Sequence, residues 1–171
     1  MQLRLFAFGL AMMIAGACAE AADRIVTVPC AEAGTLEFDV PEDWAVDISR
    51  HDARMPPTVT VAAPDGQAQW VVTAVWKAAD RKPPATPDEI RARVRRTAET
   101  VGAAAAPLQA TATGFYFDAG GSITPEPYTR LRQGMLRVGE LTVSFTAMSA
   151  EARAGDQQTA VERLSAARHR P

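Results

Sequence analysis

Histidine, cysteine and lysine are all scarce in this chain, and each shortage removes a class of chemistry. There are two histidines in 171 residues. His169 stands two residues from Pro171, too near the chain end for an ordered base to be expected. That leaves His51 as the one candidate imidazole base, in a polar loop with Ser49 and Asp52 beside it. No G-x-S-x-G elbow accompanies it. A metal site needs several His, Cys or carboxylate ligands at regular spacing. Only Asp47, His51 and Asp52 could converge, and Asp118 near Gly120 and Gly121 lacks the spacing of a calcium loop. The same glycine pair lacks the lysine and glycine spacing of a phosphate loop, so no cofactor is expected. Lysine occurs only as Lys77 and Lys82, and the formal net charge is −2. That balance gives no overall pull toward nucleic acid.

Long apolar runs are also missing after the first segment. Leu5–Ile14 is one, preceded by Arg4 and followed by small residues. It is too short to span a bilayer comfortably and suits the core of an export signal. Ala17-Cys18-Ala19 and Ala19-Glu20-Ala21 both satisfy an A-x-A cleavage pattern. The expected organisation is therefore a signal over residues 1–21 and one domain over residues 22–171, with no transmembrane segment after cleavage. Cutting there removes Cys18 and leaves Cys30 alone, read as a buried small hydrophobe. In the alternative, Cys18 is the lipid-bearing first residue of an envelope lipoprotein.

What is present is ordinary globular material, 47% hydrophobic and 22% charged, enough for one core. The strongest local signal is Tyr128–Ala150, two strands folded on a tight turn at Gly139-Glu140. Gly at the first central position suits a type II′ turn. Leu141, Val143 and Phe145 alternate with Thr142, Ser144 and Thr146, the period of a strand half-buried against a core. Gly134 interrupts the first arm and marks a bulge or a close backbone approach.

Upstream, Arg24–Pro29 reads as a short strand, and Leu36, Phe38 and Val40 mark a second. Pro41-Glu42-Asp43 supplies turn chemistry, and Trp44, Val46 and Ile48 read as the return arm of a hairpin with an acidic outer face. Thr58–Ala63 follows, with Val59 and Val61 inward, then a Pro64-Asp65-Gly66 turn. Trp70–Trp76 is apolar on both faces, which predicts a sheet covered on each side. A helix begins at Thr86 with a T-x-x-E capping box to Glu89 and Pro87 in the first turn. Its stripe is Ile90, Val94, Ala98 and Val101, and Gly102 stops it. Phe115-Tyr116-Phe117 centres a further strand, with a loop from Asp118 to Ser122. A last helix is expected from Asp156, burying Ala160, Val161, Leu164 and Ala167.

About seven strands and two helices make an α+β fold with one domain, a mostly antiparallel sheet flanked by the helices. The order resembles the PsbP/DcrB-like secreted proteins. The matching residues are Val40-Pro41-Glu42-Asp43-Trp44, the helix from Thr86, Phe115-Tyr116-Phe117, and Leu141–Ala150 followed by a helix with Leu164-Ser165-Ala166-Ala167-Arg168. The resemblance spans about Arg24 to Arg168. It implies a PsbP-like fold; since that family is functionally mixed with no shared catalytic set, the resemblance carries no activity over to this chain.

Charge is uneven. From Cys30 to Gly66 the acidic residues dominate, whereas the helix after Thr86 carries Arg91, Arg93, Arg95 and Arg96. These four are the candidate partner-binding residues. Their alternative is a solvated face in which Asp88–Arg91, Glu89–Arg93 and Arg95–Glu99 pair at helical spacing. The expected function is a secreted, periplasmic, non-catalytic binding or accessory protein of the bacterial envelope, meeting another envelope protein or a small ligand. The alternatives are a small secreted hydrolase-type enzyme with a site near His51, or the Cys18-anchored lipoprotein.

Overall fold

The computed structural model describes residues 22–50, 52, 55–76 and 85–171. The predicted export signal, Cys18 and His51 lie outside these residues. In chain order the elements are β1 (Asp23–Pro29), β2 (Thr35–Pro41), β3 (Ala45–Ser49), β4 (Thr58–Ala62), β5 (Ala68–Val75), α1 (Pro87–Thr100), β6 (Gln109–Ala110), β7 (Gly114–Gly120), β8 (Arg130–Val138), β9 (Leu141–Ser149), α2 (Gly155–Ser165) and β10 (Arg168–Arg170). They form two sheets, one ordered β1-β2-β10 and one ordered β3-β4-β5-β9-β8-β7-β6. Every pairing is antiparallel. The α+β class, the antiparallel pairing and the two helices match the expectation; the expected single sheet is in fact two.

The hairpin around Gly139 anchors the larger sheet. Val138 pairs with Leu141 across a two-residue turn. Gly139 has φ 58°, while Glu140 keeps φ negative, the type II′ pattern. The period-two reading of β9 holds. Leu141, Val143, Phe145 and Ala147 are buried in the main core, while Ser144 and Thr146 face the other way and are only half-buried. Gly134 is a close approach and not a bulge, because β8 pairs without interruption on both sides. A Cβ there would sit 2.4 Å from the Phe115 carbonyl oxygen and 2.9 Å from the Phe145 ring. The Phe145 side chain fills the space that this glycine leaves.

The predicted hairpin of β2 with β3 does not form. β2 pairs with β1 and β10, and β3 pairs with β4 in the other sheet. Alternation reports which face of a strand is buried, not which strand lies beside it. Here Leu36, Phe38 and Val40 point across the core at the larger sheet. The chain changes sheets at Trp44, which is buried and packs against Trp70 with ring centroids 4.8 Å apart. β3 is consequently an edge strand, and Ile48 is 44% exposed.

One face of the larger sheet is closed by the small sheet and by α2. Trp70, Val72, Phe145 and Leu136 meet Leu36, Phe38, Val40 and the α2 residues Ala160, Val161 and Leu164. Cys30 belongs to this core and is fully buried, as read from the sequence. Burial pushes its thiol pKa up, with a backbone hydrogen bond involving Leu36 and the charge of Arg50 pulling weakly the other way.

The opposite face carries α1 over β7 and β8. Ile90, Val94 and Ala98 pack on Phe117 and Leu131. Both ends of α1 follow the local rules. Glu89 accepts from the Thr86 backbone N–H at 2.8 Å and its own N–H donates to the Thr86 hydroxyl. At the far end, Gly102 has φ 82°, and Ala103 N–H donates to Ala98 and Gly102 N–H to Glu99, a Schellman cap. α1 does not reach over β5, so the second face of that strand is not fully covered as expected: Val71 is half-buried and Val75 is 36% exposed. Around them Thr58, Thr60, Thr73, Ser144 and Thr146 make a hydroxyl-rich, half-covered sheet face.

α2 starts two residues earlier than expected: Asp156 was the expected N-cap, but Ala154 holds that position and Asp156 lies inside the first turn. Asp118 to Gly120, read as loop, continue β7. His169 is ordered in β10. Its Nδ1 accepts from the Glu140 N–H at 3.3 Å and its Nε2 meets the Ala33 carbonyl. That assigns the proton to Nε2 and ties the β8–β9 turn to the small sheet.

Candidate functional site

The four helix arginines do not form one patch. At about 100° per residue, Arg91 and Arg95 fall on one flank of the buried stripe, and Arg93 and Arg96 on the other. On the first flank Arg91 is engaged. Its guanidinium lies 4.6 Å from the centre of the Phe115 ring and 3.7 Å from Asp88, the pairing expected at that spacing. On the second flank Arg93 and Arg96 line a shallow groove of about 330 Å³ with Thr97, Thr100, Val101 and Met135. The Thr97 and Thr100 hydroxyls donate back to the carbonyls of Arg93 and Arg96. Their polar atoms are thereby satisfied within the helix. The result is an apolar strip of Met135 and Val101 edged by two cations, next to the half-covered hydroxyl face.

A second site was not anticipated from sequence. It is a cavity of about 480 Å³ at the corner where β2 gives way to β3, walled by Asp43, Trp44 and Trp70 on one side and by Arg153, Asp156, Thr159, Glu162 and Arg163 from α2 and the turn before it. Trp44 and Trp70 form its apolar back. Arg153 is fixed three ways: 2.6 Å from Asp156, 3.5 Å from Asp65 and 5.7 Å from the centre of the Trp44 ring. Two donors here are incompletely used. The buried Trp70 indole N–H has no acceptor among the described residues. Arg163 Nη1 lies 2.7 Å from Asp23 as an ion pair, but without hydrogen-bond alignment. An unmet buried donor costs roughly 1–3 kcal/mol. The sequence signals that could have pointed here are the P-x-x-W corner at Pro41–Trp44 and the i, i+3 spacing of Arg153 and Asp156, but neither shows that the two segments meet.

A third cluster is closed. Arg132 donates to both carboxylate oxygens of Asp118, at 2.6 and 3.0 Å, and to Gln158 at 2.7 Å, while its guanidinium stacks 4.5 Å from the Tyr116 ring centre. Gln109 bridges the Tyr116 hydroxyl and Asp118. Burial works against the Arg132 charge, but the hydrogen bonds and charge of Asp118 outweigh it and hold its pKa above the usual value. Each donor aimed into the cluster has its acceptor, so this network fastens β6, β7, β8 and α2 to one another.

Among the described residues no group of three or more His, Cys, Asp or Glu is placed to hold a metal ion. His169, with both nitrogens occupied, is not free to act as a base. No helix among the described residues is long and apolar enough to cross a membrane.

The fold has a solved counterpart. It aligns with the solution structure of cyanobacterial PsbP (CyanoP) from Synechocystis sp. PCC 6803 at a TM-score of 0.52 and 13% identity, covering 91% of this chain and 99% of that one. The fold is thus PsbP-like, as the motif order implied. No family model matches the sequence, and no curated protein matches it.

Proposed function

We infer that this chain is an exported, non-catalytic binding or accessory protein of the bacterial envelope, and that it meets an acidic envelope protein through the Arg93–Arg96 flank of α1. The observation that carries this is the groove in which two arginines edge an apolar floor of Met135 and Val101. Arginine beside a small apolar surface can pair with a carboxylate while the partner's side chains cover the floor. Arg91 is the weaker candidate because Asp88 and Phe115 already hold it. The A-x-A sites before Ala22 support export.

The test compares the two flanks. Envelope proteins are captured in parallel with wild type, Arg93→Glu/Arg96→Glu and Arg91→Glu/Arg95→Glu at one salt concentration. The first double variant should lose the captured acidic protein and the second should keep it. Equal capture by all three would reject the arginine flank as the contact, and capture only of anionic vesicles would replace the protein partner by a lipid surface. Mass spectrometry of the exported form should show a start near Glu20 or Ala22. A diacylated Cys18 at the N-terminus would establish the lipoprotein form instead.

A further inference from the structure

We propose that the cavity at the β2–β3 corner binds a neutral, polyhydroxylated small molecule of the saccharide class. This is a different site from the α1 flank, on the other face of the large sheet, and it does not depend on that reading. Its volume of about 480 Å³ is in the range of small-ligand pockets. The lining mixes three carboxylates, Asp43, Asp156 and Glu162, with two guanidinium groups, Arg153 and Arg163. A ligand of either net charge would match one set and confront the other. A hydroxyl group can donate to a carboxylate and accept from an N–H at the same time, so an array of hydroxyls satisfies both.

The unused groups sort the same way. Asp43 is an exposed carboxylate at the mouth, available as an acceptor. On the donor side, the Arg153 and Arg163 side chains are 34% and 20% exposed, and both line the cavity. Arg153 and Asp156 are already fixed to each other, which presets the wall at low conformational cost.

Two of the three tryptophans line the cavity, so intrinsic fluorescence reports on it directly. The probes are maltose and N,N′-diacetylchitobiose as neutral disaccharides, with spermidine and citrate as charged controls of comparable size, titrated into the mature chain. At least one disaccharide should shift the emission saturably, and both controls should be weaker. Asp43→Asn should weaken that affinity about tenfold or more. Asp43 is exposed, so the variant should fold; an unchanged unfolding midpoint confirms that loss of binding is local. Thr159→Ala, at the opposite wall, should weaken binding to a smaller extent. The proposal is overturned if neither disaccharide binds, if spermidine or citrate binds more tightly than both, or if Asp43→Asn and Thr159→Ala leave the affinity unchanged.

Discussion

The two faces of the seven-stranded sheet are built from the same strands and do different work. On one face the small sheet and α2 close over Trp70, Val72, Leu136 and Phe145, each at most 1% exposed. On the other, α1 packs on β7 and β8, and Thr58, Thr60, Thr73, Ser144 and Thr146 of β4, β5 and β9 stay half-covered. A strand presents successive residues to opposite faces, so neighbours in sequence can belong to different energetic worlds. Stability is concentrated on the closed face, and the open face carries the half-covered surface beside the arginine flank of α1.

The sharpest break of that contrast is a pair of adjacent substitutions. Phe145→Ala removes a buried ring that also fills the space over Gly134, and should lower unfolding free energy by about 3–5 kcal/mol. Thr146→Ala, one residue on and facing the other way, should change it by under about 0.5 kcal/mol. Chemical denaturation of both checks the register of β9. Gly134→Ala comes next, since its methyl would run into the Phe115 carbonyl oxygen and Tyr116 Cβ. The expected loss is about 1–3 kcal/mol, read from the same curves. On the α1 side, Thr86→Ala removes half of the capping box and should cost about 1 kcal/mol, with a small fall in helical circular dichroism.

The smallest effect is at Cys30. Its folded pKa is raised above 9.0 by burial, so the folded state keeps the proton where the unfolded state loses it. The resulting stability is fully present below about pH 9 and declines as pH rises further. Wild type should therefore lose stability above pH 9 more steeply than Cys30→Ala, which lacks the thiol. Parallel slopes for the two proteins would contradict a buried, protonated thiol.

Much of this fold was legible locally. The capping box at Thr86 and Glu89, the Gly102 stop, the Gly139 turn and the alternation of β9 depend on residues close in sequence, and the structure has them all. The failures concern partners far apart in the chain. Leu36, Phe38 and Val40 alternate identically whether β3 pairs with β2 or lies across the core, so the two-sheet arrangement left no local mark. Similarly, the four arginines of α1 read as one basic run, while helical geometry divides them between a flank held by Phe115 and Asp88 and a flank open beside Met135. The cavity at Trp44 was hidden for the same reason, because Trp70 and Arg153 reach it from distant segments.

The division between a stabilising face and a contact face is tested most directly by measuring one variant in two ways. Arg93→Glu/Arg96→Glu changes exposed charge and leaves the closed core untouched, so its unfolding free energy should stay within about 1 kcal/mol of wild type. Its capture of the acidic envelope partner should be lost at the same salt concentration. A variant that unfolds markedly more easily yet still captures that partner would contradict the account.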